Sequence, residues 1–186
     1  MGNCINCCIS KYSNNINKEI LEKIDLDDCA ELTYDFTIAK VVDVYDGDTF
    51  TIAAWYDGII RKFDVRLFGI DCPEIKKPRG IIETPEQKEK RLTSALMSKN
   101  YIINNLLNKI IQIEILNNKT KDRDFLFKNF GEYVETNELE KYISSGKKYK
   151  EKWGRLLANV YIDNKLLSIN MIKKNLGYPY FGGKKH

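Results

Sequence analysis

β-Branched and aromatic positions dominate the first part of the body of the chain. Residues 36–45, 49–55 and 61–68 are rich in Val, Ile, Thr, Phe and Tyr, and the separating pairs at 46–47 and 57–58 are both Asp-Gly. Runs of this composition are typical of strands, and Asp-Gly is a strong turn signal. The pattern predicts three consecutive β-strands joined by turns.

A helical period follows at residue 84. Thr84 is placed as an N-cap, Pro85 occupies the first helical position, and Gln87 is positioned to complete a capping box. Apolar residues then recur at helical spacing as far as about Asn108. The pattern predicts a long helix whose apolar stripe packs against the core.

The C-terminal part predicts two more strands and a second helix. Residues 110–116 and 155–162 have strand character, and residues 166–175 have helical spacing that ends before Gly177. Five strands with a helix after the third are typical of the small, partly open OB-type barrel, which often binds oligonucleotides. The expected fold class is therefore α+β, mostly β, with helices packed on a five-stranded OB-fold barrel.

The segment 117–152, between the last two predicted strands, is too long for an ordinary connection. It is rich in charge but also contains aromatic side chains, and residues 135–144 predict a short helix. Three roles remain open for this insertion: a lid, an extension of a nucleic-acid groove, and a contact with a partner. The basic residues at 147–150 favour the groove.

Residues 1–35 are polar and predict a tail and linker ahead of a single domain at 36–186. The chain has 186 residues, of which 43% are apolar, so it can bury a core. Its one histidine is His186. Ser-His-Asp triads, Cys-His triads and His-ligated zinc therefore need partners that this sequence does not supply. Hydrolytic chemistry would have to use carboxylates, arginines and a hard metal ion.

Charge is divided unevenly along the chain. Residues 1–40 carry a net charge of −3 and residues 41–186 one of +7, within a total of +4. A basic body suits a polyanionic partner, and ordinary solvated lysines would explain the same excess. The five scattered cysteines form no disulfide framework, so we expect a reduced, intracellular chain. We find no secretory signal and no run of about 18 apolar residues that would span a membrane.

The N-terminus carries a candidate acylation pattern. Gly2 lies where removal of Met1 would expose it for myristoylation, and Cys4, Cys7 and Cys8 lie where palmitate could be added. Two lipids hold a protein firmly on a membrane, whereas one myristoyl chain holds it marginally. We expect a tether at the cytoplasmic face of a membrane. The alternatives are ordinary reduced thiols, or half of a metal site for which no second pair of ligands follows.

The residues that carry chemistry fall in three short blocks. The pair Asp46 and Asp48 follows the first strand, although a lone Asp-Gly-Asp more often forms only a turn. Arg66, Asp71 and Glu74 then come at the end of a strand, where side chains can converge. Carboxylates of this kind are the ligands that a hard divalent cation needs. A second arginine, at position 155, begins the last predicted strand.

These blocks resemble the staphylococcal (micrococcal) nuclease family, the thermonucleases. The matching segments are Val-Asp-Val-Tyr-Asp-Gly-Asp-Thr at 42–49, Arg-Leu-Phe-Gly-Ile-Asp-Cys-Pro-Glu at 66–74 and Trp-Gly-Arg at 153–155. They occur in the family order, with the long helix between the second and the third. The resemblance implies an OB-fold nuclease that uses one calcium ion to cleave DNA and RNA, single strands preferably, and leaves 3′-phosphate ends. No obligate protein partner is evident.

The resemblance also implies roles for single residues. Asp48 and Asp71 would bind calcium through their carboxylates and Cys72 through its backbone carbonyl, so the replacement of the usual Thr by Cys at 72 should be tolerated. Glu74 would hold the attacking water and act as general base. Arg66 and Arg155 would bind the phosphate and stabilise the charge that develops on it, as planar guanidinium groups do well. Tyr178 and Tyr180 would contact the nucleotide.

Structural roles remain open beside these. Arg66 could be an inward residue in an ion pair with Asp71 or Glu74, and Arg155 could close a strand without any catalytic part. The whole chain could be a catalytically inactive module of the same fold that binds nucleic acid or protein. It could also be a membrane-tethered scaffold for interactions, in which the tail matters and the site does not.

Overall fold

The computed structural model describes residues 33–76, 82–117, 119, 121–146, 149 and 154–182. The acylation candidates Gly2, Cys4, Cys7 and Cys8 lie outside the described residues, and so do Trp153 and most of the basic stretch at 147–150. Residues Tyr34–His186 form one compact unit. The helices within the described ranges do not reach the combination of length and apolarity that crossing a bilayer requires.

The unit contains short strands and helices in an order close to that predicted. The strands are β1 (Ile38–Val44), β2 (Thr49–Tyr56), β3 (Ile59–Leu67), β4 (Ile70–Asp71), β5 (Ile110–Ile115), β6 (Leu156–Ile162), β7 (Lys165–Leu166) and β8 (Tyr178–Pro179). The helices are α1 (Pro85–Leu106), α2 (Arg123–Phe130), α3 (Thr136–Ser144) and α4 (Leu167–Lys173).

Five of these strands close into a barrel. Their order is β3-β2-β1-β5-β6, and the barrel closes where Val65–Leu67 of β3 pairs in parallel with Leu156–Ala158 of β6. Each of the other pairs of adjacent strands in this barrel order is antiparallel. The expected α+β fold, an OB-like five-stranded barrel with packed helices, is therefore confirmed. The short pair of β4 and β8 was not anticipated.

Helix α1 begins as its sequence predicts. The Thr84 side chain accepts a hydrogen bond from the Gln87 backbone N–H, and the Gln87 side chain accepts one from the Thr84 backbone N–H. These two bonds satisfy amide groups that would otherwise lack partners at a helix start. Further along the helix, Ala95, Ser98 and Ile102 are fully buried at helical spacing. The helix therefore packs one stripe on the barrel, next to the segments that carry the chemistry.

The described part of the insertion contributes to the hydrophobic core. It holds two helices, α2 and α3, where one was predicted, and Asp122 caps the first of them through a bond from the Phe125 backbone N–H. Leu126, Phe130 and Leu139 have no exposed surface. Because these side chains would be left in water without the barrel, this part of the insertion serves as structure, while the roles of the basic stretch stay untested.

One glycine shows how closely the insertion packs. Gly69 follows β3 with a φ of +78°, a conformation that other residues rarely adopt. A Cβ built on it would collide with the ring of Phe130, which also lies edge-on to Phe68 with ring centroids 5.8 Å apart. The turn between β3 and β4 is therefore formed directly against helix α2.

Candidate active site

The loop between β1 and β2 delivers Asp48 to the interior. The backbone N–H groups of Tyr45 and Asp46 both donate to the Thr49 carbonyl, at 3.0 and 3.1 Å, and the Asp48 N–H donates to Asp46 Oδ1 at 3.1 Å. These bonds hold the loop in a tight turn. The Asp48 side chain is consequently buried, with only 2% of the residue exposed.

Gly47 is required in this loop by packing. A Cβ at this position would lie 2.5 Å from Ser98 Cβ and 2.9 Å from Cys72 Cβ. Its backbone does not have the positive φ that the Asp-Gly turn signal suggests. The loop thus approaches α1 and the segment after β4 so closely that only a glycine fits, and this approach brings Asp48 to the second sequence block.

Arg66 joins the two sequence-predicted metal ligands. Its Nη1 donates to Asp48 Oδ1 at 2.6 Å and its Nη2 donates to Asp71 Oδ1 at 2.6 Å. Nη2 also donates to the Ile70 carbonyl at 3.3 Å. Arg66 lies near the end of β3, whereas Asp71 ends β4, so the turn at Gly69 brings the two side chains together. The ion pair with Asp71 that the structural alternative for Arg66 requires is therefore present.

Asp48 has further partners besides Arg66. Thr49 Oγ1 donates to its Oδ1 at 3.0 Å, and the Cys72 backbone N–H donates to its Oδ2 at 2.8 Å. Burial raises the pKa of Asp48 to about 7, although the positive charge of Arg66 opposes this shift. Burial therefore disfavours the charge of this carboxyl group, and Arg66 beside it favours that charge.

Cys72 lies behind this carboxylate and is shielded from solvent. Only 5% of the residue is exposed, and burial raises the pKa of its thiol above the ordinary value, with the nearby Asp48 carboxylate adding to the effect. Thiol reactivity requires the thiolate and access to it. The thiol is therefore poorly placed to react, and the contact that Cys72 makes with the site is through its backbone N–H, which donates to Asp48 Oδ2.

A pocket of about 390 Å³ lies in front of Arg66. Its lining residues are Tyr45, Asp46, Arg66, Glu74, Ile75, Lys76 and Arg155. The structure thus brings together the three residues that the resemblance assigns to catalysis. Asp48 and Asp71 are connected to the same pocket through their bonds to Arg66. Three positive side chains around one concave surface suit an anionic substrate.

Arg155 reaches the pocket from the beginning of β6. Its Nη1 donates to Thr49 Oγ1 at 3.4 Å, which ties the third sequence block to the first. Gly154, immediately before it, has a φ of +73° and turns the chain into the strand. Thr49 was not among the expected site residues, yet its hydroxyl contacts both Asp48 and Arg155.

Arg91 of α1 holds the segment that carries Glu74. Its Nη1 donates to the carbonyls of Glu74 and Ile75, each at 2.7 Å. Its Nε and Nη2 donate to the two carboxylate oxygens of Glu83, at 2.6 and 3.1 Å. This hydrogen bonding raises the pKa of Arg91. The guanidinium therefore fixes the backbone beside the expected general base.

Arg91 was not among the expected site residues, although the sequence carries a signal for it. Arg91 precedes the buried residues Ala95, Ser98 and Ile102 at the same helical spacing. A charged residue in line with an apolar stripe is expected to have a specific partner. Asp46 was also left without a role, and it lines the pocket.

The two C-terminal tyrosines lie near the site but do not line its pocket within the described residues. Tyr178 pairs with Asp71 across the β4–β8 ladder and is 56% exposed. The Tyr180 backbone N–H donates to the Gly69 carbonyl at 3.1 Å. Tyr178 is thus the cross-strand neighbour of the metal-ligand candidate Asp71, and contact of either tyrosine with a nucleotide stays a prediction.

The donor set fits a hard cation in its chemistry. Asp48 and Asp71 offer carboxylate oxygens, and Asp46 and Glu74 lie on the pocket beside them. In the described ranges, however, no three acidic, Cys or His side chains are arranged as a ready metal cluster. In this structure the Arg66 guanidinium supplies the positive charge beside both Asp48 and Asp71.

Comparison with protein-family models and with curated proteins found no match to the chain. The assignment of a function therefore depends on the site itself.

Proposed function

We propose that this chain is a calcium-dependent nuclease of the thermonuclease type, which hydrolyses phosphodiester bonds of DNA and RNA to give 3′-phosphate ends. We also propose that N-terminal acylation at Gly2 and the nearby cysteines tethers it to the cytoplasmic face of a membrane. The observation that carries the first proposal is the convergence of Arg66, Glu74 and Arg155 on one pocket backed by two buried carboxylates. The net charge of the body, +7 over residues 41–186, suits a polyanionic substrate.

The pocket residues divide the reaction between them. Glu74 orients a water molecule and accepts its proton as the oxygen attacks phosphorus. The P–O5′ bond then breaks and the leaving O5′ takes a proton from solvent, which leaves a phosphate on the 3′ side and a hydroxyl on the 5′ side. Arg66 and Arg155 donate to the phosphate oxygens, and their hydrogen bonds strengthen as negative charge accumulates there. Thr49 and Arg91 keep Arg155 and the Glu74 segment in place.

Asp48, Asp71 and the Cys72 carbonyl would hold calcium, which when bound supplies positive charge against the phosphate oxygens. Both carboxylates are buried and paired with Arg66, and a cation held beside them would supply compensating charge and leave the guanidinium available to the phosphate oxygens. Activity should therefore depend on the metal.

The proposal is tested by cleavage of labelled single-stranded DNA and RNA in calcium and in chelator. Glu74→Gln keeps the shape of the side chain and removes its basicity, and we expect it to lower turnover by about 10²–10⁴-fold. The matched control is Glu138→Gln, on the exposed side of α3, which should leave turnover unchanged. If wild type binds the strands without cutting them under any of these conditions, the inactive binding module is the better description.

The tether is tested separately, by metabolic labelling and membrane fractionation of wild type and Gly2→Ala. We expect labelled fatty acid on wild type and a loss of membrane-bound protein in the variant. Absence of any fatty acid on wild type would remove this part of the proposal and leave the nuclease untouched.

A further inference from the structure

The outer side of the barrel carries a contiguous row of side chains across four strands. Lys62 of β3 pairs with Ala53 of β2, Ala53 with Lys40 of β1, and Lys40 with Ile110 of β5. The residues that flank these positions, such as Ile52 and Val41, are fully buried. Because neighbours in a strand point to opposite sides, the row itself points outward.

A second row of apolar side chains runs beside the first. Trp55 and Ile60 are direct partners across the β2–β3 hairpin, and Ile38 lies two positions from Lys40 on β1. The exposed fractions are 66% for Trp55, 69% for Ile60, 62% for Ile38 and 75% for Ile110. We call this surface the Trp55 face; its residues are Ile38, Lys40, Trp55, Ile60, Lys62 and Ile110.

Such a surface is unusual for a chain that stays in water. Single exposed apolar residues are ordinary, but a continuous patch indicates a partner. No strand or helix in the described part of the chain covers the Trp55 face. Trp55 and Ile60 lie next to the hairpin turn at Asp57, whose charge is balanced at 3.5 Å by Arg61.

The N-terminal segment joins the body at the same end of the hairpin. The Tyr34 ring contacts the rings of Tyr56 and Phe63, with centroids 5.4 and 5.7 Å apart, and Phe36 stacks on Phe63 at 5.3 Å. Tyr56 directly follows Trp55 in β2. The described chain therefore begins near the Trp55 end of the β2–β3 hairpin, on the side of the sheet opposite to the Trp55 face.

We propose that the Trp55 face is a docking surface for an anionic lipid bilayer. Tryptophan favours the boundary between water and hydrocarbon, isoleucine gains from burial in it, and Lys40 and Lys62 suit acidic headgroups. A single-stranded nucleic acid fits less well, because stacking needs aromatic rings and isoleucine has none. The face adds a contact of the body to the tether of the proposed function, and it does not depend on catalysis.

The position of the face has a consequence for the pocket. Trp55 and Thr49 are at opposite ends of β2, about 20 Å apart at roughly 3.3 Å per residue. Thr49 contacts Arg155 and Asp48 of the site. The site therefore lies along the strand from Trp55, outside the set of residues that form the Trp55 face.

The test is co-sedimentation of the full chain, produced without acylation, with vesicles of phosphatidylcholine alone or with phosphatidylserine. We expect binding to the anionic vesicles that weakens with salt. Trp55→Ala/Ile60→Ala should reduce it by at least about tenfold, whereas Leu96→Ala/Met97→Ala, which removes exposed apolar residues from α1, should not. Likewise, Lys40→Glu/Lys62→Glu should lower binding, and Lys88→Glu/Lys90→Glu on α1 should lower it much less.

Several results would overturn the proposal. These are no binding by wild type, equal binding by Trp55→Ala/Ile60→Ala, or an effect of that variant on self-association or DNA binding in place of vesicle binding. If the Trp55→Ala/Ile60→Ala variant unfolds, the Ile38→Ser/Ile110→Ser variant removes apolar surface from the same face independently. It should likewise reduce vesicle binding. The nuclease assay on free DNA is separate: its failure beside intact vesicle binding would remove the proposed function and leave the docking surface standing.

Discussion

At the scale of single residues, the site is organised by Arg66. One guanidinium group pairs with two buried carboxylates, and the side chain of Arg66 is itself only 10% exposed. Breaking such a group by removal of one member is costly, since it leaves uncompensated charge in the interior. The same residue also lines the pocket, so the catalytic role proposed for it would use hydrogen-bond donors that now serve a structural role.

Arg66→Ala should therefore destabilise the metal-free protein by about 3–5 kcal/mol, because Asp48 and Asp71 lose their positive partner. Calcium should restore part of this loss by taking its place between them. The measurement is denaturant unfolding in chelator and in calcium. Arg61→Ala serves as control, since its ion pair with Asp57 is exposed and should contribute about 0–1 kcal/mol. An equal loss in both variants would contradict the account.

The pKa of Asp48 predicts a pH effect of definite sign. The carboxyl titrates near 3.8 in the unfolded chain and at about 7 in the folded protein, because burial disfavours its charge. Between these values the folded state binds more protons, so this group's contribution to the free energy of unfolding decreases as pH rises. Its slope is on the order of 1 kcal/mol per pH unit at most.

The check is unfolding in chelator between pH 4 and 8, with wild type, Asp48→Asn and the exposed control Asp57→Asn. We expect the stability of Asp48→Asn relative to wild type to increase with pH over this interval, more steeply than that of Asp57→Asn, whose side chain is exposed. A flat difference for Asp48→Asn would mean that Arg66 keeps the carboxylate ionised throughout.

At the scale of elements, helix α1 and the insertion position what the strands carry. Arg91 joins the helix to the Glu74 segment through two carbonyls, and Glu83 holds the other side of its guanidinium. Phe130 of α2 fills the space beside Gly69, at the turn that aligns Arg66 with Asp71. Neither element supplies a catalytic group, but both determine where the catalytic groups lie.

Arg91→Lys keeps the charge and loses the fork that reaches Glu74, Ile75 and Glu83 together. We expect kcat to fall by about tenfold to a hundredfold with KM little changed, because a base displaced by about 1 Å aligns water poorly. Thermal unfolding should change little. Arg123→Lys, in the exposed ion pair with Glu140, is the control and should keep full kcat. Loss of stability without loss of kcat would make Arg91 purely structural.

Gly69→Ala compared with Gly58→Ala tests the packing of the insertion. Both glycines have positive φ, +78° and +75°, so both substitutions carry the backbone cost of about 1–2 kcal/mol. Only at Gly69 would the new methyl group collide with Phe130; nothing lies near it at Gly58. We expect Gly69→Ala to be the more destabilising by at least about 1 kcal/mol in denaturant unfolding. Equal losses would mean that α2 moves aside freely.

At the scale of the whole molecule, local signals predicted more than long-range ones. The alternation in 36–68 and the capping box at Thr84 gave three strands and the start of α1, because these features depend on neighbouring residues. The closure of β3 on β6 and the two-residue pair of β4 and β8 depend on contacts between distant residues. No pattern within a short stretch of sequence predicts those long-range contacts.

The site shows the same division. Arg66, Glu74 and Arg155, which line the pocket, were visible in motifs, since each block is contiguous in sequence. The partners that hold them were not: Thr49 contacts Arg155 across 106 positions, and Arg91 contacts Glu74 across 17. Gly47 was assigned to a turn, whereas the structure requires it for close packing on Ser98 and Cys72. These contacts exist only once the barrel has closed.

The central claim is that the pocket of Arg66, Glu74 and Arg155 hydrolyses phosphodiester bonds with calcium. Its most direct test is the rate and end chemistry of cleavage of a 5′-labelled single-stranded DNA by the purified protein, in calcium and in chelator. The account predicts cleavage in calcium alone, with products that end in 3′-phosphate, and its loss in Glu74→Gln and Arg155→Ala. Uncut DNA beside folded wild-type protein in calcium, or equal cleavage by Glu74→Gln, would contradict it.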